Sequence, residues 1–202
     1  MRYFLGNQHH FFVEESNQKF LVDPATFDVY SFGFYEKEFK KAIEIDKPMF
    51  MQYAKETGEI QKGWEKLADS IAMRAHAGQV DKAGKDYINH PRMVAKMCQT
   101  TEEKVVALLH DVLEDTFVTE DNLVAYGFSQ QIIEAVISVT KVRDNHYTYK
   151  NYLKEIKKNP LARTVKVADL KHNSDLSRLP EVSTSMKVKH IKYIQSLAFL
   201  YA

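Results

Sequence analysis

The 202-residue chain has a single cysteine, Cys98. One thiol excludes an intramolecular disulfide and any cysteine-rich zinc site. Charge excess is missing too: 28 basic side chains stand against 27 acidic ones, for a net charge of +1. No global field therefore draws the protein onto nucleic acid or a membrane, and an anionic ligand has to be held by local geometry. No apolar run reaches the roughly 18 residues that a membrane span requires. The first residues, MRYFLGNQHHFFVEESNQ, mix polar residues into their apolar ones and lack the uninterrupted core of a signal peptide. Repeats, low-complexity tracts and flexible linkers are also missing. These absences point to a cytoplasmic protein without a nucleic-acid or membrane partner.

What the chain does have is apolar content, 45%, of which aromatics are a large part. That suffices for a sizeable core in one domain, or at most two small ones. Residues 1–59 read as a small α+β appendage. Short aromatic and branched runs at 2–5, 10–14, 19–23 and 29–32 alternate with Gly6-Asn7, Glu15-Ser16-Asn17 and Asp23-Pro24, the pattern of an antiparallel β meander. From Tyr35 the texture turns helical, with Phe39, Ala42 and Ile43 at helix spacing, and Pro48 opens another helical stretch to about Glu56. Thr57-Gly58-Glu59 reads as a hinge. The appendage is free to pack on the rest of the chain, to roof a site, or to mediate a homo-oligomer.

Residues 60–202 read as mainly α. Trp64, Leu67, Ala68, Ile71, Ala72 and Ala75 recur at intervals of three and four, on one face of a helix that ends near Gly78. Similar stripes at 93–97, 105–113, 123–126, 132–139, 152–156, 161–170 and 188–200 predict a bundle of about seven or eight helices. Thr101, Thr119 and Ser129 suit N-caps and Gly127 a stop. No alternating signal is left to build a parallel sheet.

Four short segments carry chemistry: His90-Pro91, His110-Asp111, Glu114-Asp115, and Asp169 followed by His172-Asn173. Two imidazoles and two carboxylates suit a divalent ion with positions left for water and substrate. Asp111, Glu114 and Asp115 fall at i, i+3 and i+4, so three carboxylates share one helix face, just after the apolar run 105–109. Mutual repulsion invites a cation. Asp169 lies among Val165, Val167, Ala168 and Leu170, where an unpaired carboxylate is costly.

The strings AHAGQVDKAGKDYINHP (75–91), ALLHDVLEDT (107–116), Thr140-Lys141 and VKVADLKHN (165–173) occur in this order. Together they resemble the HD-superfamily hydrolase domain of the RelA/SpoT alarmone enzymes and their small stand-alone relatives, over about residues 64–200. The resemblance implies an HD-domain helical bundle after the meander. It also implies a manganese-dependent hydrolase that removes the 3′-pyrophosphate of (p)ppGpp, a small-molecule nucleotide. Carried over, it implies His90, His110, Asp111 and Asp169 as metal ligands and Glu114 and Asp115 as the pair that activates water. Asn173 falls near the substrate and Lys82 in the nucleotide pocket. Arg178, soon after Asn173, is a candidate phosphate contact.

The chain departs from the family at two places. Asp81 stands where an arginine implied in stacking on guanine is usual, and Asp86 replaces a proline before Tyr87. A short anionic side chain cannot stack as a guanidinium does, so Asp81 is a candidate for reading a purine edge. The departures also keep open an HD nucleotidase or pyrophosphatase of different base preference. A nucleotide-sensing module that retains the metal site is a further alternative, although Glu114 and Asp115 argue for catalysis. Read as ending at Ala202, the chain has no room for the synthetase domain of the family's larger members. His76, His146 and His190 read as structural, and His172 as an outer partner of the metal ligands. Lys141, Lys166 and Lys171 read as surface charges. Tyr147, Tyr149 and Tyr152 read mainly as packing residues.

Overall fold

The structure, a computed structural model, describes residues 1–6, 11–15, 18–22, 29–31, 39–40, 42–141, 148–179 and 181–202. Two compact units divide between Lys66 and Leu67.

In the first unit, strands β1 (Arg2–Leu5), β2 (Phe11–Glu15), β3 (Gln18–Val22) and β4 (Val29–Ser31) form the expected antiparallel meander. A fifth strand, β5 (Ile43–Ile45), completes the order β4-β3-β2-β1-β5 by pairing Leu5 with Ile43 and Tyr3 with Ile45. Ile43 was expected on a helix. Its spacing from Phe39 is helical, but the open edge of β1 offers backbone partners that outweigh this local preference. The start of that helical stretch, from Tyr35, lies outside the described residues. The strands alternate between two apolar layers. Phe11 and Val22 pack with Phe50 and Ala54 on one face, while Phe4, Phe12 and Leu21 pack with Phe39 and Ala42 on the other.

Helix α1 (Lys47–Ala75) starts at Asp46, whose Oδ1 accepts the N–H of Met49 at 2.8 Å. It passes unbroken through 57–59, the run that reads as a hinge in sequence. A mid-helix glycine costs only about 1 kcal/mol, and Thr57 and Gly58 lie on the buried side with Ala54. α1 ends before Gly78, which takes φ 80°.

The described residues of the second unit form the helices α2 (Asn89–Lys96), α3 (Thr101–Leu109), α4 (Val112–Asp115), α5 (Glu120–Ala125), α6 (Gln130–Val139), α7 (Tyr149–Lys158), α8 (Pro160–Ser174) and α9 (Thr184–Tyr201), with one isolated bridge between Val80 and Asp86. Helix α8 is central and touches α2, α3, α6, α7 and α9. It buries Leu161, Ala162, Val165, Ala168 and Leu170. Thr119 and Ser129 cap α5 and α6 as expected. Thr100, not Thr101, caps α3, because only Thr100 stands three residues before Glu103 and closes a reciprocal capping box with it. Gly127, at φ 81°, ends α5. The expected continuous helix over 105–113 is broken: α3 stops at Leu109 and α4 begins at Val112. No helix of the described residues is long and apolar enough to cross a membrane.

Candidate metal centre and nucleotide cleft

The break at His110-Asp111 builds the site. His110 closes α3 and bends its ring back so that Nδ1 donates to the carbonyl of Ala107 at 2.7 Å. That bond fixes the tautomer with the proton on Nδ1 and leaves the Nε2 lone pair turned toward His90 and Asp111. Asp111 opens α4, with its peptide chain turning through 111–115 (Asp115 N–H to Asp111 carbonyl, 2.9 Å). His90 enters from the first turn of α2, and Asp169 from the last turns of α8.

These elements bring donor atoms of His90, His110 and Asp111 within 4.8 Å of one another, a grouping that can hold a metal ion. His90 Nε2 lies 3.2 Å from His110 Nε2 and 3.7 Å from Asp111 Oδ2, and His110 Nε2 lies 2.9 Å from the same carboxylate oxygen. Asp169 Oδ1 adds a fourth donor, 3.2 Å from His90 Nε2 and 3.8 Å from His110 Nε2. Nitrogen lone pairs and carboxylates converging from three segments form a mixed donor set that fits a divalent ion. The field acts on the side chains of the cluster themselves. Burial disfavours a charged His110, yet Asp111 and then Asp169 outweigh it and push its pKa up to about 9.

The donors have partners of their own. Tyr87 donates its hydroxyl to Asp111 Oδ2 at 2.5 Å, and its ring lies between those of His76 and His90 (centroids 4.8 and 5.6 Å away). Burial and then Asp111 raise the Tyr87 pKa, so the phenol keeps its proton. His90 Nδ1 faces His172 Nδ1 at 2.8 Å, on the side of the His90 ring away from His110. Lys166 is a correction. It was read as a surface charge, but it is 7% exposed and its Nζ sits 2.7 Å from Asp169 Oδ2. Burial works against both charges, and their pairing outweighs it, holding Lys166 above and Asp169 below their ordinary ranges. Asn173 Nδ2 donates to Asp169 Oδ1 at 2.5 Å. The partner demanded by a buried Asp169 was thus available three residues upstream in the sequence.

Glu114 and Asp115 occupy α4 beside the donors. Glu114 is mostly buried; Oε2 accepts the N–H of Lys141 at 3.1 Å, and Oε1 lies 3.5 Å from Lys141 Nζ. Lys141 therefore holds Glu114 as well as meeting solvent. Asp115 is more open, and burial followed by repulsion from Asp111 and Glu114 raises its pKa. Its carbonyl accepts from Gln79 Nε2 at 2.9 Å, and Gln79 Oε1 meets His76 Nδ1 at 2.8 Å, so buried His76 braces this wall.

A cleft of about 640 Å³ opens over these groups, lined by His90, Asp111, Glu114, Asp115, Asp169 and Asn173, and by Asp81 and Lys82 of the 76–88 loop. Asp81 Oδ1 is engaged by that loop, accepting the N–H groups of Ala83 (2.8 Å) and Lys85 (2.9 Å). Arg178 ends the 3-10 turn Leu176–Arg178, but its side chain, like His146 and Tyr147, lies outside the described residues. His190 Nδ1 bonds the Ser174 carbonyl, a structural role. Tyr152 is buried and donates to the Val139 carbonyl, whereas Tyr149 reaches the cleft. Lys171 is exposed, as expected.

No protein-family model matches the chain. It is 37% identical over 126 residues, 55% of its length, to a guanosine-3′,5′-bis(diphosphate) 3′-pyrophosphohydrolase of Borreliella burgdorferi. Over 76 residues it is 38% identical to the bifunctional (p)ppGpp synthase/hydrolase SpoT of Escherichia coli, covering 36% of this chain. Its fold matches that of a metazoan ortholog of SpoT described as hydrolysing ppGpp, with a TM-score of 0.56 at 20% identity, over 68% of this chain and 84% of the other. The chain is thus similar in sequence to these (p)ppGpp hydrolases and shares its fold with the metazoan ortholog of SpoT. It spans 19% of the Borreliella protein and 11% of SpoT.

Proposed function

We propose that this chain is a divalent-metal phosphohydrolase that removes pyrophosphate from the 3′ position of guanosine 3′,5′-bis(diphosphate) or a close analogue, with manganese as the metal. One observation carries the reading: His90, His110, Asp111 and Asp169 converge in the same cleft as Glu114 and Asp115. A dication held by the four donors would supply charge neutralisation at the phosphoryl oxygens and acidify a coordinated water. Water attacks the phosphorus attached to the 3′-oxygen, the bond from that oxygen to phosphorus breaks, and guanosine 5′-diphosphate and pyrophosphate result. Glu114, fixed by Lys141, takes the proton of the attacking water, and Asp115, with its raised pKa, supports that transfer. Lys82, Asn173 and Arg178 are assigned to the nucleotide. The lone, buried Cys98 is in keeping with a cytoplasmic setting.

The engagement of Asp81 Oδ1 within its own loop favours a second reading in which the base preference differs from guanine. Turnover of guanine and non-guanine nucleotides carrying the same 3′-diphosphate separates the two. A clear guanine preference supports the first reading, and equal turnover of all bases supports the second. Turnover by Glu114→Gln equal to wild type would overturn the proton-transfer assignment.

A further inference from the structure

His76 is 3% exposed and belongs neither to the donor cluster nor to the lining of the cleft. Its neighbours decide which ring nitrogen holds the proton. Gln79 Nε2 donates to the Asp115 carbonyl at 2.9 Å, so the amide's other atom, Oε1, is an acceptor. Oε1 lies 2.8 Å from His76 Nδ1, and two lone pairs cannot face each other at that distance. The proton is therefore on Nδ1, and the neutral ring carries its bare lone pair on Nε2. Among the described residues nothing donates to that buried atom. An unmet buried acceptor is costly. Packing does not call for one, because any aromatic ring can lie against Tyr87, whose centroid is 4.8 Å away. The imidazole is there for Nδ1.

That nitrogen acts on α4. With four residues, Val112–Asp115, this helix is too short to hold its own geometry, and its last carbonyls lack partners within it. It nonetheless carries Glu114 and Asp115. Anchors from distant segments supply the order: the Lys141 N–H on Glu114 Oε2 at 3.1 Å, and Gln79 on the Asp115 carbonyl from 36 residues away. Gln79 is half-buried and free to turn its amide to water. The His76 N–H holds that amide in the one orientation that presents Nε2 to Asp115.

We infer that His76 is a positioning residue for the proton-transfer pair. Locked as the Nδ1–H tautomer, it fixes the amide of Gln79, which fixes the C-terminal end of α4 and with it the carboxylates of Glu114 and Asp115. This rests on the functional reading above, because it takes that pair as the groups that accept the proton of water. Activity and stability are thereby separated at one residue. The unmet Nε2 contributes nothing to the fold, whereas Nδ1 acts where a displacement of a fraction of an ångström is felt in the rate.

The test uses the full chain with manganese and guanosine 3′,5′-bis(diphosphate). Gln79→Leu and His76→Phe are each expected to lower kcat about tenfold, with KM and the manganese Kd within about twofold of wild type. The double variant is expected to fall no further than either single one, because both cut the same link. His76→Asn, whose amide N–H can stand in for Nδ1–H, is expected to recover most of the loss. Unchanged kcat in Gln79→Leu, multiplied losses in the double variant, or a manganese Kd that rises in step with the lost rate overturns the assignment. Nitrogen-15 NMR of the imidazole, with the His76 signal identified by its loss in His76→Asn, needs no turnover. The Nδ1–H tautomer is expected at about pH 8, and the Nε2–H tautomer rejects the lock. If wild type hydrolyses no nucleotide, the functional reading fails on its own, and the tautomer alone decides whether His76 holds Gln79.

Discussion

Tyr87→Phe isolates the contribution of one hydroxyl to the metal centre. The Tyr87 hydroxyl is a 2.5 Å donor to Asp111 Oδ2, the carboxylate oxygen that also lies 2.9 Å from His110 Nε2. Phenylalanine keeps the ring between His76 and His90 and removes only the O–H. A largely buried carboxylate that loses a donor forfeits about 1–3 kcal/mol, equivalent to about a tenfold to hundredfold weaker metal binding. Calorimetric titration with manganese should show that rise in Kd. Turnover at limiting metal should fall in proportion and recover as manganese is raised, a response that general loss of structure would not give. Thermal unfolding in chelator should move by only a few degrees, because the ring packing is retained. An unchanged manganese Kd would refute the view that Tyr87 orients Asp111 toward a cation.

Other consequences are direct. Lys166→Met should destabilise the fold by about 3–5 kcal/mol in urea unfolding, because it removes the cation paired with Asp169 Oδ2 and leaves the buried charge to Asn173 and His90 at Oδ1; a loss under about 1 kcal/mol would show that the buried pair contributes little to the fold. Glu114→Gln should lower kcat by about 100-fold or more while leaving manganese affinity within a few-fold, as measured by steady-state kinetics beside calorimetry. Thr100→Ala, which opens the capping box of α3, should cost about 1 kcal/mol of stability in the same urea assay. Cys98 should resist a thiol reagent at pH 8 in the native protein and react on unfolding, because burial and then Glu103 push its pKa up to about 12; rapid labelling of folded protein would contradict its placement.

Much of this architecture is legible because its signals are local. The period of the apolar residues marks the helices, and the caps Thr119 and Ser129 and the stop Gly127 use side-chain and φ preferences that one segment contains within itself. The donors His90, His110, Asp111 and Asp169 could be named because their order and spacing carry the resemblance. Several of the misses are tertiary. Ile43 joins a sheet because β1 has an open edge, which helix spacing cannot reveal. The stripe over 105–113 hides the break at His110, whose ring bonds the Ala107 carbonyl instead of continuing the helix face. Lys166 looks like any surface lysine until α8 is seen at the centre of the bundle. Tyr87 gives no hint of its bond to Asp111, a residue 24 positions away. Asp81 was read against a stacking role, and only the folded loop shows its Oδ1 bound to two neighbouring N–H groups.

The most direct test of the account is chromatographic analysis of guanosine 3′,5′-bis(diphosphate) incubated with the protein, once with manganese and once with excess chelator. The expected result is guanosine 5′-diphosphate and pyrophosphate in equal amounts with manganese, and no product with chelator. An intact nucleotide in the presence of demonstrably bound manganese, or equal release with chelator, would contradict the account.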